Sequence, residues 1–340
     1  MKNIKVLGID LAKNIFQLHG TDNKGKCVLR KRLSREKLID FVTQINPCII
    51  GIEACMSSHY WARVFEKMGH TVKMMSPQFV KPYVMSNKND RNDARGIAEA
   101  VTRPDMKFVC VKNIEQKDVL LLHRSRELIM KQRTAQANQI RGLLMEYGVV
   151  IPQGICHISR LLEILENNKD KLTERSIIIF TQLYEQFKIY NEQMSMYDKQ
   201  LERIAKEDVV CQEIMKIEGI GPITASAVVA TVGDAKIFKK GREMSAWLGL
   251  VPKQHSSGNT IKLSGITKRG DCYVRKLLVS GARSVVNNCQ KKNDIKNKWV
   301  ADKKYRCGHN KASVALANKN ARVIWAIMAK GECYRKPIPA

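Results

Sequence analysis

The chain has 340 residues, with 59 Lys or Arg against 32 Asp or Glu and a formal net charge of +27. That length allows two or three domains and at least one sizeable core, and the charge asks for a polyanionic partner, either nucleic acid or an anionic membrane surface. No apolar run approaches the roughly 20 residues a membrane span needs, and the opening MKNIKVLGID lacks the long apolar stretch of a signal peptide, so the expectation is a cytoplasmic, nucleic-acid-binding protein with no membrane partner.

The first hundred residues alternate strand and helix. Residues 5–10 form a short apolar strand ending in an acid, 15–21 a second strand, and 22–25 (DNKG) a turn into a third strand over 27–33. Ser34 predicts the N-cap of a helix over 37–45, which Pro47 stops. Residues 48–53 read as a central apolar strand, 60–68 as a helix ended by Gly69, and 71–75 as a fifth strand. The first three strands fit an antiparallel meander, and the later ones, separated by helices, fit parallel pairing.

Beyond residue 113 the strand series stops. Residues 114–147 read as one long helix closed by Gly148 and Pro152. A second long helix carries Phe180, Leu183, Phe187, Tyr190, Met194, Tyr197, Leu201 and Ile204, spaced by alternating threes and fours, the a/d seam of a coiled coil. An antiparallel helical pair, able to bind a second copy of the chain, accounts for both. Residues 217–224 (IEGIGPIT) then have the pattern of a helix-hairpin-helix module. There Gly219 and Gly221 would bring backbone N–H groups at a helix N-terminus to a phosphate. Basic clusters follow at Lys239, Lys240 and Arg242, at Lys268 and Arg269, at Arg275 and Lys276, and over 291–304. Several such runs in one third of a basic chain predict a surface for phosphate backbones. The ten cysteines are spread singly, without CxxC spacing, and Cys307 and His309 have no matching second pair. They therefore predict small core residues rather than a zinc site or disulfide framework.

Three segments carry acids in places where chemistry can use them. Asp10 ends the first strand in GIDLAK, Glu53 ends the fourth in GIEAC, and Asp90 and Asp93 lie in NKNDRNDA where a helix begins. Residues three apart share a helix face. If the first and fourth strands are neighbours, all four carboxylates meet at one sheet end. Each pair at ~4 Å costs about 4 kcal/mol at an effective dielectric of 20. Two divalent ions about 4 Å apart relieve that repulsion and clamp the attacking and leaving oxygens of a phosphodiester. All-oxygen ligands suit magnesium, or manganese in its place.

These stretches, together with residues 51–61 (GIEACMSSHYW), 88–94, 123–133 and 249–278, resemble the insertion-sequence transposases that have a RuvC-like, ribonuclease-H-type N-terminal domain and a DEDD tetrad. The resemblance covers nearly the whole chain. It implies that Asp10, Glu53, Asp90 and Asp93 are the catalytic metal ligands. It also implies a second catalytic element in the C-terminal domain, a serine before a glycine after Gly-Leu-x-Pro. Here that stretch is GLVPKQHSSG, so the nucleophile is Ser257, with Ser256 as the alternative. A serine can hold a cut strand covalently if a neighbouring base, such as His255, or a metal takes its proton. The family further implies donor and target DNA, a structured guide RNA encoded by the element, and a homo-oligomer, a dimer or a tetramer built from dimers.

The expected organisation is a RuvC-like α/β catalytic domain over residues 1–112, a helical coiled-coil spacer over 113–210, and a mainly α C-terminal domain over 211–340. The expected activity is cleavage, exchange and rejoining of DNA strands to excise and insert a mobile element. Rival readings are a Holliday-junction-type nuclease that hydrolyses with the same acids, a non-catalytic nucleic-acid-binding protein, and an actin-like ATPase. The last is disfavoured because residues 54–60 hold no glycine for a phosphate loop.

Overall fold

The computed structural model describes residues 3–85, 89–258 and 260–335. The chain divides into two compact units, Met1–Ile114 and Glu115–Ala340.

The first unit runs β1 (Val6–Asp10), β2 (Ile15–Thr21), β3 (Cys27–Ser34), α1 (Arg35–Thr43), β4 (Ile49–Glu53), α2 (Ser58–Lys67), β5 (Thr71–Met75), α3 (Pro77–Val80), α4 (Asp90–Ala100) and β6 (Phe108–Val109). Its six-stranded sheet has the order β3-β2-β1-β4-β5-β6. The β1–β3 meander is antiparallel, β1, β4 and β5 are parallel, and β6 is antiparallel at the far edge. The five strands expected from apolar patterning are all present, and the first and fourth are neighbours, with Gly8 opposite Gly51 and Ile9 opposite Ile52.

Both faces of β1 and β4 are covered, which is why they read as apolar runs without alternation. One face packs Leu7, Ile9, Ile50 and Ile52 against Leu38, Trp61 and Phe65 from α1 and α2. The other lies under α4, and its fit depends on glycine. A Cβ on Gly8 would stand 2.4 Å from the Ala94 carbonyl oxygen, and one on Gly51 would stand 3.0 Å from Val101 Cβ. Two adjacent glycines therefore let α4 lie directly on the sheet.

The second unit begins with α5 (Ile114–Met145), then α6 (Ile155–Ile158), α7 (Leu161–Glu166) and α8 (Glu174–Glu207). The two long helices run antiparallel. Arg126 pairs with Asp198, Arg133 Nη1 donates to Asn191 Oδ1 at 3.2 Å, and the rings of Tyr147 and Phe180 meet at 6.0 Å. Phe180 and Phe187 of the heptad seam share a core with Ala137, Ile140 and Leu144 of α5, and Met194 and Leu201 are also buried. These seam side chains thus pack within the chain's own unit, whereas the sequence pattern had also offered them to a second copy.

There follow α9 (Val209–Met215), α10 (Pro222–Val232), α11 (Gly241–Trp247), β7 (Pro252–Ser257), β8 (Thr260–Ile266), α12 (Cys272–Asn288), α13 (Ile295–Cys307) and α14 (His309–Lys330). Helices α9–α14 enclose one core, and α8 packs against α10 in the same unit. The antiparallel β7–β8 hairpin was not expected from the sequence. Among the described residues no helix is long and apolar enough to cross a membrane.

Candidate active site

Asp10 and Glu53 each stand two residues beyond a glycine that faces α4, so strand periodicity turns both acids to the α4 side of the sheet. The N-terminus of α4 delivers the other acids. Asn89 caps the helix by accepting from Asn92 N–H at 2.8 Å, which places Asp90 and Asp93 in the first turn. There the helix dipole favours negative charge. One carboxylate oxygen from each of Asp10, Asp90 and Asp93 lies within 4.8 Å of the others. Asp10 and Asp93 are half-buried and Asp90 is exposed.

The sequence pattern predicts four converging carboxylates, and three meet. Glu53 closes β4 opposite Met75, at the strand end next to Asp10 but outside the group of three. Residues 87 and 88, the start of the NKNDRNDA motif, lie outside the described residues. The three acids fit a divalent cation of the hard, oxygen-seeking kind: the donors are all carboxylate oxygens, drawn together against their mutual repulsion.

Residues 7–149 match the DEDD transposase model of the IS110 type, and residues 211–299 match the transposase IS116/IS110/IS902 family. A probable family 20 transposase of Pseudomonas aeruginosa PAO1 is 42% identical over 98% of this chain and 99% of its own length. The transposase for insertion sequence element IS1111A of Coxiella burnetii is 44% identical over 98% of this chain and 92% of its own. The chain belongs to the IS116/IS110/IS902 transposase family. The transposase for element IS1328 of Yersinia enterocolitica is 38% identical over 99% of this chain and 100% of its own length. A transposase of this family cleaves and rejoins DNA, and its DEDD domain implies a ribonuclease-H-like fold, with which the mixed sheet agrees, and use of a divalent metal.

The second unit of the transposase holds the candidate serines on β7, whose residues are all exposed. Ser256 Oγ accepts from Gln254 Nε2 at 2.9 Å. Ser257 ends the strand, immediately before Gly258 in the left-handed region at φ +56. Successive strand residues face opposite ways, so Ser257 shares a face with His255 and Ser256 points away.

The hairpin is clamped at its base. A Cβ on Gly249 would lie 2.3 Å from the Arg269 carbonyl oxygen, and one on Gly270 would lie 1.9 Å from that of Trp247. The turns before β7 and after β8 therefore touch backbone to backbone. Arg275 Nη1 donates to both Leu248 O at 3.0 Å and Arg269 O at 2.8 Å, holding them together. Lys268, whose N–H donates to Gly249 O at 3.2 Å, has φ +55 and is the one non-glycine in the left-handed region among the described residues.

The basic residues expected to meet nucleic acid thus divide. Lys239, Lys240, Arg242, Lys268 and Arg269 are exposed. Arg275 is engaged by the clamp, and Lys276 pairs with Glu127 of α5 at 2.6 Å. The hairpin glycines also divide. Gly219 packs against the backbone of Gly281 in α12, where its own Cβ would stand 2.7 Å from the Gly281 oxygen, whereas Gly221 faces open space.

A buried polar chain escaped the sequence reading. Ser226 Oγ donates its one proton to Pro222 O at 2.8 Å, so at 3.1 Å it accepts from His123 Nε2–H. His123 Nδ1 then accepts from the Tyr273 hydroxyl at 3.0 Å. Burial first, then the charge of Arg126, lowers the His123 pKa to about 4. The neutral ring ties α5, α10 and α12 together.

Proposed function

We propose that the protein excises and inserts a mobile element by cutting, exchanging and rejoining DNA strands. Asp10, Asp90, Asp93 and, from the adjacent strand end, Glu53 hold divalent ions, magnesium or manganese. The convergence of three carboxylates at the end of β1 carries this reading. When bound, such ions stabilise charge on the oxygens of the scissile phosphate.

Ser257 is the nucleophile. Its oxygen bonds to phosphorus as the bond to one deoxyribose oxygen breaks, and the released hydroxyl takes up a proton. A hydroxyl of the exchanging strand then attacks the same phosphorus, restores a phosphodiester and releases the serine. His255, on the same face of β7, is the base at hand for the serine proton. Ser256 is the alternative, disfavoured because its hydroxyl already accepts from Gln254.

The partners are donor and target DNA and a structured RNA encoded by the element, in the cytoplasm. The active assembly is a homo-oligomer, a dimer or tetramer. Helices α5 and α8 form a coiled-coil-like spacer, whose outer faces expose Leu121, Leu128, Ile178 and Ile189. The exposed basic residues of the second unit supply sequence-independent backbone contacts.

The test is to incubate the protein with magnesium, element-flanking DNA and transcribed element-end RNA. Joined products and a covalent protein–DNA adduct are expected, and Ser257→Ala abolishes both. Cutting without joining, unaffected by Ser257→Ala, would instead identify a hydrolytic nuclease. Joining that persists without the RNA would remove the guided part of the proposal.

A further inference from the structure

A cleft of about 710 Å³ opens in the second unit between α13, α14 and the segment that follows α14. Its size is that of a small-ligand site. Ile217, Val323, Ala326 and Ile327 line it with apolar surface, and Tyr334 adds an aromatic ring. The Tyr334 segment is anchored, because its backbone N–H donates to Glu213 Oε2 at 3.1 Å.

The polar groups are nearly all donors or cations. Lys296, Lys319, Arg322 and Arg335 line the cleft, with Glu332 as the one acid, and Glu332 pairs with Lys330 at 3.4 Å. Lys319 is held over the Trp299 ring at 4.5 Å. Lys296 is buried, with Nζ donating to Glu218 O at 3.3 Å. Deepest is Asn320, 2% exposed, whose amide nitrogen has no acceptor among the described residues. Buried amide donors in folded proteins are nearly always paired, so an acceptor belongs here.

The cleft also continues the exposed basic segment around α11. A Cβ on Gly241 would stand 3.1 Å from Arg322 Cα, so Lys239, Lys240 and Arg242 flank the point where α11 meets the cleft-lining turn of α14. A nucleic-acid backbone following those cations arrives at the rim.

We infer that this cleft takes one unstacked nucleotide of a single-stranded segment, with its base against Tyr334 and the apolar wall and its phosphate on Lys319 and Arg322. Aromatic and apolar walls accept the face of any base, and clustered cations track the strand. A carbonyl on the base supplies the acceptor that Asn320 lacks. A protein that exchanges strands must open duplexes, and an unpaired nucleotide is the product. The inference rests on the nucleic-acid-processing reading above.

The test uses the full-length protein without divalent metal, so failure of the joining reaction leaves it readable. The probes are fluorescein-labelled 12-nucleotide oligothymidylate, the matching oligouridylate and a blunt 12-base-pair duplex, each followed by anisotropy at fixed salt. Lys319→Ala with Arg322→Ala should weaken single-strand binding at least about tenfold, with a much smaller loss for the duplex. Asn320→Leu, which removes an unpaired amide and so preserves the fold, should weaken single-strand binding at unchanged thermal stability. The tighter of the two single-stranded probes tells whether DNA or RNA supplies the nucleotide. Equal losses for single strand and duplex, or no loss in either variant, would overturn the inference.

Discussion

Gly8 and Gly51 show how little sequence is needed to aim an acid. Each glycine removes the side chain that would keep α4 off the sheet, and strand periodicity turns the acid two positions later to the same face. The motifs GID and GIE carry that instruction in their glycines as much as in their acids. The role of His123 is not legible in the sequence because its partners, Tyr273 and Ser226, lie more than a hundred residues away along the chain. Its protonation makes a prediction. The folded-state pKa, about 4, lies below the ordinary histidine value of about 6.5, so as pH falls below 6.5 the unfolded chain takes up a proton that the folded chain refuses. His123 therefore supports the fold fully above pH 6.5 and loses up to about 3 kcal/mol of that support between pH 6.5 and 4. Urea unfolding followed by tryptophan fluorescence should show the decline in the wild type and a shallower one in His123→Gln. Parallel curves for the two proteins would exclude this role.

At the scale of elements, the strands of the first unit were legible because apolar runs bounded by turns and charges leave few alternatives, and the long helices because period 3.5 is hard to mistake. The β7–β8 hairpin was not. β7 (PKQHSS) shows no alternation, and the short alternation at the start of β8 (TIKLS) marks no buried face, because Ile261 and Leu263 are exposed. What holds it is at its base, where two glycines and Arg275 join the flanking turns. Arg275 looked like a phosphate ligand because charge in a sequence does not disclose its partner. Arg275→Ala, which frees two carbonyls and loosens the base, should speed proteolytic nicking within residues 252–266 and lower strand joining by about tenfold or more, while leaving divalent-metal binding intact. Unchanged nicking, with lost binding of duplex DNA, would return Arg275 to the nucleic-acid surface.

For the whole molecule, a net charge of +27 and a carboxylate cluster pull in opposite directions, and a phosphodiester substrate with divalent ions reconciles them. The central claim is that Asp10, Asp90 and Asp93, with Glu53 beside them, form the metal site. The sequence offered all four as a converging set once β1 and β4 were placed side by side, and three of them meet. That Glu53 stands outside the set is a matter of side-chain placement, on which strand order is silent. Calorimetric titration of manganese into the wild type, Asp10→Asn and Asp93→Asn tests the claim most directly. The account predicts saturable binding by the wild type and, in each variant, a loss beyond the roughly 10–100-fold that removal of an outer-shell partner causes. Variants that bind manganese as the wild type does would contradict it.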